Sequence, residues 1–205
     1  MPCILKSLFL KLFDKFYYFE LDVESFVPEY KNIDENFQFR QLTGGQDDME
    51  RLKVYAEYRK RGFLSDYVDY LGISRERLEK EDEFTGLVLI DKRSDEIAYL
   101  RWIQFTSNYS EMMRYQVALD KDDAYLIDSY TVPKYRSMGL HKFMMFRTAD
   151  YCRSLGIKRI YGGVIHTNQY AINVMNQVGY RVKKTLYRFR YYLISNRVKS
   201  LFSKK

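Results

Sequence analysis

The chain of 205 residues holds two cysteines, Cys3 and Cys152, and two histidines, His141 and His166. The cysteines stand far apart without a Cys-x-x-Cys pair. Two histidines are too few to assemble a zinc site with them, so no metal centre is expected. No stretch reaches the roughly 18 uninterrupted apolar residues that a membrane-spanning helix needs. The apolar start carries Lys6, Lys11 and Lys15 and lacks a small-residue cleavage pattern, so it does not read as a secretory leader. Cytoplasm is the expected compartment. Internal repeats and low-complexity linkers are also missing.

Hydrophobic residues make up 46% of the chain and aromatic residues 17%, enough for a sizeable core and too much for a disordered chain. At roughly 150 residues per domain, the length suits one domain with a modest extension. The 34 Lys and Arg outnumber the 27 Asp and Glu, giving a net charge of +7. That excess calls for an acidic partner. Nucleic acid is the least expected, because the basic residues are mixed with acids, as in Arg75-Glu76-Arg77, and no nucleic-acid motif is present.

Ile4, Leu5, Leu8, Phe9, Leu12, Phe13 and Phe16 recur at helical spacing, which predicts an amphipathic helix over Ile4–Phe16. Its lysines suit either docking on the protein's own core or contact with an anionic membrane surface, the inner face for a cytoplasmic protein. Residues 1–35 are therefore taken as this helix and an extension, 36–194 as the main domain, and 195–205 as a basic tail. Within the main domain the pattern predicts strands at Phe37–Leu42, Phe84–Ile90, Glu96–Phe105, Ala124–Val132 and Arg159–Ile165. One or two more follow across Arg181–Ile194, with a division near Thr185. Helices are predicted at Asp47–Lys60, about Asp66–Lys80, Leu140–Leu155 and Asn168–Val178. Thr106–Asp123 reads as a variable loop or extra hairpin arm, with Met113–Leu119 able to form a strand.

The informative unit is the strand Ala124–Val132, then Pro133-Lys134-Tyr135-Arg136-Ser137-Met138-Gly139-Leu140-His141, then a helix. A loop that delivers free backbone N–H groups to a helix start is an anion site, because those donors have no intrahelical partner and the helix dipole is positive there. Gly139 permits close approach of a phosphate. An ordinary strand-to-helix loop would look the same on this evidence alone.

The order of motifs from Ala124 to Tyr180 resembles the GNAT superfamily of acetyl-CoA-dependent N-acetyltransferases: Val-Pro-x-Tyr-Arg-x-x-Gly, a helix ending Leu155-Gly156-Ile157, a strand ending near His166, Asn168-x-x-Ala171-Ile172, and Gly179-Tyr180. The resemblance covers about Phe37 to Tyr192. It implies an α/β (α+β) fold with a mixed, mostly antiparallel central sheet flanked by helices, two central strands splayed for CoA, and the N-terminal amphipathic helix as an addition. It implies acetyl-CoA as co-substrate, its pyrophosphate on Arg136, Ser137, Met138, Gly139, Leu140 and His141. Its pantetheine arm would lie along the main chain of Tyr130 and Val132, with Asn168 also on the cofactor. An amine would attack the thioester directly, with Asp128 as the first candidate base and His166 the second.

Two positions depart from the family pattern. His141 replaces a small residue, so it must point away from the phosphates or donate to them. Met175 stands seven residues after Asn168, where many members carry a tyrosine that protonates the departing thiolate. Tyr130, Tyr170 and Tyr180 are replacement candidates. Met175 also leaves open a second reading, a non-catalytic CoA-binding or interaction module.

Overall fold

The computed structural model describes residues 13–29, 33, 35–60 and 69–189. Along these residues run β1 (Phe13–Asp22), β2 (Phe37–Gln41), α1 (Gln46–Lys60), α2 (Tyr70–Glu79), β3 (Phe84–Asp91), β4 (Glu96–Gln104), β5 (Asn108–Ser110), β6 (Tyr115–Val117), β7 (Asp123–Thr131), α3 (Leu140–Ser154), β8 (Arg159–Ile165), α4 (Gln169–Val178) and β9 (Arg181–Phe189). Seven strands form one sheet in the order β2-β3-β4-β7-β8-β1-β9, and β5 and β6 form a separate hairpin. Every neighbouring pair is antiparallel except β7 and β8. This is the mixed, mostly antiparallel sheet flanked by helices that the sequence predicts.

Side-chain alternation along β4 fixes which helices lie on which face. Tyr99 and Arg101 reach His141 and Thr148 of α3, whereas Trp102 on the opposite face lies under Arg77 of α2. Burial on both faces explains why β3 and β4 read as nearly continuous apolar runs. Asn168 caps α4, accepting a hydrogen bond from the Ala171 N–H at 3.1 Å. Gly179, at φ +99°, closes that helix in the left-handed region.

The sequence expectation fails at the N-terminus. Phe13–Phe16 belong to β1, not to a helix, and β1 lies between β8 and β9. The placing of 1–35 as an extension outside the main domain is therefore corrected: β1 is an interior strand of the sheet. Its aromatic residues satisfy a strand as well as a helix, and two flanking ladders decide the outcome. Both faces of β1 are covered, so alternation buries neighbouring residues on opposite sides, Tyr18 in a tyrosine cluster with Tyr125 and Tyr161, and Phe19 in the main core. Ile4–Leu12 of the expected helix and the tail 195–205 lie outside the described residues. Among the described residues no helix is long and apolar enough to cross a membrane. The division expected near Thr185 is absent, since β9 continues through it.

The junction between β2 and α1 is held by a buried carboxylate. Asp48 accepts from Arg40, from the Thr43 N–H at 2.8 Å and from the Thr43 hydroxyl at 3.1 Å. Burial opposes its charge, but these donors outweigh burial and pull its carboxyl down to about 2. A depressed carboxyl stabilises the fold fully above its unfolded value of 3.8 and loses that contribution as pH falls through 2. Asp48→Asn should therefore lower urea stability by about 2 kcal/mol at pH 7, with the deficit vanishing near pH 2. An equal deficit at both pH values would disprove this account.

Candidate active site

Ladder pairing between β7 and β8 joins Asp123–Leu126 to Arg159–Gly162 and stops there. Both strands continue, β7 to Thr131 and β8 to Ile165, without pairing to each other. The sheet is thus split at its centre. At the split, Asp128 and Ser129 of β7 stand opposite the single residue Arg101 of β4, because Leu100 pairs with Tyr130 and Trp102 with Ile127. Asp128 adopts φ +53° to make this bulge. Leu126 lies beside Gly162 on the α4 side. Unbroken alternation would point Asp128 the same way, and the extra residue turns it toward α1 and α2 instead.

There Asp128 accepts from Arg59 Nη2 at 2.5 Å and from Arg77 Nη1 at 3.0 Å. Tyr130 shares that face. Its ring lies under Arg59 at 4.7 Å, and its hydroxyl donates to the Tyr58 carbonyl at 3.2 Å. Ser129 points the other way and accepts from Arg101 Nε at 2.9 Å.

The main-chain positions expected to face the split shift by one residue. The Val132 N–H donates to the Ala98 carbonyl of β4 at 3.0 Å, so Val132, and by alternation Tyr130, direct their backbone toward β4. Thr131 and Ser129 direct theirs into the split. Consistently, the Thr131 carbonyl accepts from Arg136 Nε at 3.4 Å.

After β7, Pro133–Tyr135 form a single 3₁₀ turn, and Gly139 at φ +79° starts α3. Ser137 also has a positive φ, +64°. Left-handed positions in a turn are the kind of backbone that can aim N–H groups at an anion. Arg136, Ser137, Met138 and Gly139 are exposed, and a side chain added at Gly139 would meet nothing within 4 Å. Glycine is thus demanded there by the backbone angle and not by crowding. The Leu140 side chain is buried, so only its amide faces the loop.

His141 resolves the first departure by turning inward, to pack between the rings of Tyr99 and Tyr170. The Tyr99 hydroxyl lies 2.8 Å from His141 Nδ1, and Arg101 Nη2 lies 3.5 Å from it. Burial and the neighbouring Arg101 push the imidazole down to about 3, so it is neutral and Nδ1 accepts. Asn168 has its side-chain oxygen engaged in capping α4. His166, at the end of β8, donates from Nδ1 to the Lys15 carbonyl at 3.3 Å. Met175 is buried with its Cε against Gly162, so no acid occupies the family tyrosine's place. Cys152 is fully buried and its thiol is pushed up to about 12, which removes it as a nucleophile.

Arg101 was not singled out from the sequence. It is 1% exposed, and its partners are Ser129, Thr148, Tyr99 and His141, all neutral. Among the described residues no carboxylate pairs with it. A cation inside an otherwise apolar strand, Ile97-Ala98-Tyr99-Leu100-Arg101-Trp102-Ile103, was the available signal. Arg59 and Arg77 gave none, since charges on helices are ordinarily solvated.

A split between parallel strands, backbone exposed along one of them, and an open N–H loop at a helix start together define a site for an extended, phosphate-bearing cofactor. The model of the Acetyltransferase (GNAT) family matches residues 51–180, and the chain belongs to this family of acetyltransferases. No curated protein matches it. Solved structures share the fold at low identity. A GCN5-related N-acetyltransferase from Sphaerobacter thermophilus is 12% identical at a TM-score of 0.61, over 90% of this chain and 54% of that one. A Drosophila protein is also 12% identical, at a TM-score of 0.59 over 90% and 55%. The chain thus spans about half the length of these two proteins. AAC(6')-Iy, solved in complex with the bisubstrate analog CoA-S-monomethyl-acetylneamine, is 13% identical at a TM-score of 0.54, over 72% of this chain and 92% of that one.

Nitrogen NMR of the ligand-free protein should show His141 neutral from pH 8 down to about pH 4, with a bare Nδ1. A titration midpoint near 6.5 would contradict the buried, Arg101-flanked environment.

Proposed function

We propose that the chain transfers an acetyl group from acetyl-CoA to a primary amine by direct attack of the amine on the thioester carbonyl. The observation that carries this reading is the split between β7 and β8 beside the exposed loop Arg136–Gly139. The loop amides and Arg136 receive the pyrophosphate. The main chain of Ser129 and Thr131 pairs with the pantetheine arm as an added strand. The Ser129 amide lies where the thioester oxygen becomes an oxyanion.

Arg101 supplies the charge that the missing acid would otherwise have to provide. Its guanidinium is one hydrogen bond from the split, through Ser129 Oγ. In a buried setting it favours negative charge on the thioester oxygen and on the sulfur that leaves as thiolate. Met175 favours the non-catalytic reading, and the unpaired Arg101 answers it. On the other side of β7, the guanidiniums of Arg59 and Arg77 favour the neutral, nucleophilic form of an approaching amine. Asp128 orients that amine, and His166 Nε2 or water takes its proton.

Acetyl-CoA at 100 times its dissociation constant should stabilise the protein by about 2.7 kcal/mol, and an accepted amine should release free thiol from it. No stabilisation at such concentrations would defeat the cofactor assignment. Arg101→Met separates structure from chemistry. Replacing a buried unpaired charge by an apolar side chain should leave Tm equal or higher, while kcat falls by about 10²-fold with acetyl-CoA binding retained. A variant with unchanged kcat would remove Arg101 from the chemistry.

A further inference from the structure

The acceptor side of the split carries more positive charge and more hydrogen-bond donors than its own residues use. Arg59 comes from the last turn of α1 and Arg77 from the last turn of α2, and both converge on Asp128. One guanidinium would neutralise that carboxylate. The second leaves the group with a net charge of +1, and among the described residues no other carboxylate pairs with either arginine. Each guanidinium has five N–H donors, and Asp128 engages one nitrogen of each.

The arginines are held in place by aromatic faces. Arg59 lies 4.9 Å from the Tyr70 ring centre and 4.7 Å from that of Tyr130, and Arg77 lies 5.3 Å from that of Trp102. Such stacking holds a guanidinium ready for a ligand without further loss of side-chain freedom. Both side chains keep some access to solvent, 14% for Arg59 and 18% for Arg77. Beneath them the Trp102 indole N–H faces the buried Tyr70 hydroxyl, and among the described residues the buried Ser74 hydroxyl has no partner. The two guanidiniums keep N–H donors that Asp128 does not use. A plain ammonium group, itself cationic, matches two guanidiniums on one carboxylate poorly.

We propose that the acceptor is an amine that also carries an anionic oxygen group, a carboxylate or a phosphate, bound by Arg59 and Arg77 while its amine faces the split. The proposal rests on the acetyl-transfer reading. The anion completes the charge balance of the cluster and supplies the acceptors that the donors lack, and two guanidiniums at an angle grip a carboxylate or phosphate more tightly than a neutral group.

The test uses two matched pairs, glucosamine 6-phosphate against glucosamine and 4-aminobutyrate against butylamine. Each compound is titrated by calorimetry into the CoA-saturated protein and assayed for thiol release from acetyl-CoA. The anionic member of at least one pair should bind about tenfold or more tightly than its neutral counterpart. Arg77→Gln and Arg59→Gln should each reduce that ratio toward one, Arg77→Lys should retain part of it, and added salt should weaken it. The phosphate and carboxylate arms distinguish the two sources of the anion. Equal binding within both pairs, no binding by either anionic amine, or a preference that survives both glutamine variants overturns the proposal. Should a glutamine variant fail to fold, Arg77→Lys and the salt titration decide in its place. Failure of acetyl transfer itself would show separately, as no thiol release with any of the four amines, while calorimetry still reads the anion preference.

Discussion

The four-residue parallel ladder between Asp123–Leu126 and Arg159–Gly162 is the constraint on which the functional architecture turns. It holds the two halves of the sheet together at one end and lets them part at the other. The bulge at Asp128 lies just past the last pair, so the strand changes its side-chain phase where it loses its neighbour. A bulge placed earlier would have turned Leu126 out of the core. Without one, Asp128 would have pointed toward α3 and left Arg59 and Arg77 without their shared carboxylate.

One strand thereby presents two different faces. Ser129 and Thr131 present to the α3 side, where the exposed loop and Arg101 lie, and Asp128 and Tyr130 present to the α1 and α2 side. The two faces differ in electrostatic design. On the α3 side a deeply buried cation, with no counter-ion among the described residues, lies behind neutral groups, where low dielectric magnifies its influence. On the other side the cations are partly exposed and share one carboxylate. The net charge of +7 is in this sense divided by a strand: Arg101 lies on one side of it, and Arg59 and Arg77 on the other.

Much of the fold was legible because its cues are local. Pro133 ending a strand, Gly139 starting a helix, Gly179 ending one and the alternation across Glu96–Phe105 each act within a few residues. The exposed turn before α3 was legible for the same reason. The register of the split was not, because which backbone groups of β7 face it depends on the Val132–Ala98 hydrogen bond, a partner more than thirty residues away. Assigning Tyr130 and Val132 in place of Ser129 and Thr131 is a one-residue error that strand alternation makes unavoidable until pairing is known. The Ile4–Phe16 pattern failed over Phe13–Phe16 in the same way, since aromatic spacing there suits either period and distant strands chose between them. Asp128 was visible as an isolated strand carboxylate, but its two arginines come from helices whose sequence gives no hint of where they point.

The position of β1 has a consequence for how the molecule is made. Synthesised before β8 and β9, Phe13–Asp22 must wait for these partners, which come much later in the sequence. Until then it is an aromatic-rich strand with both edges unpaired, the kind of segment that associates with other chains during synthesis. Such long-range closure predisposes a domain to slow folding. It also makes the final sheet a clasp: the first and last described strands lie side by side, with Phe13 beside Phe189, and neither end of the described fold can peel away without exposing the other.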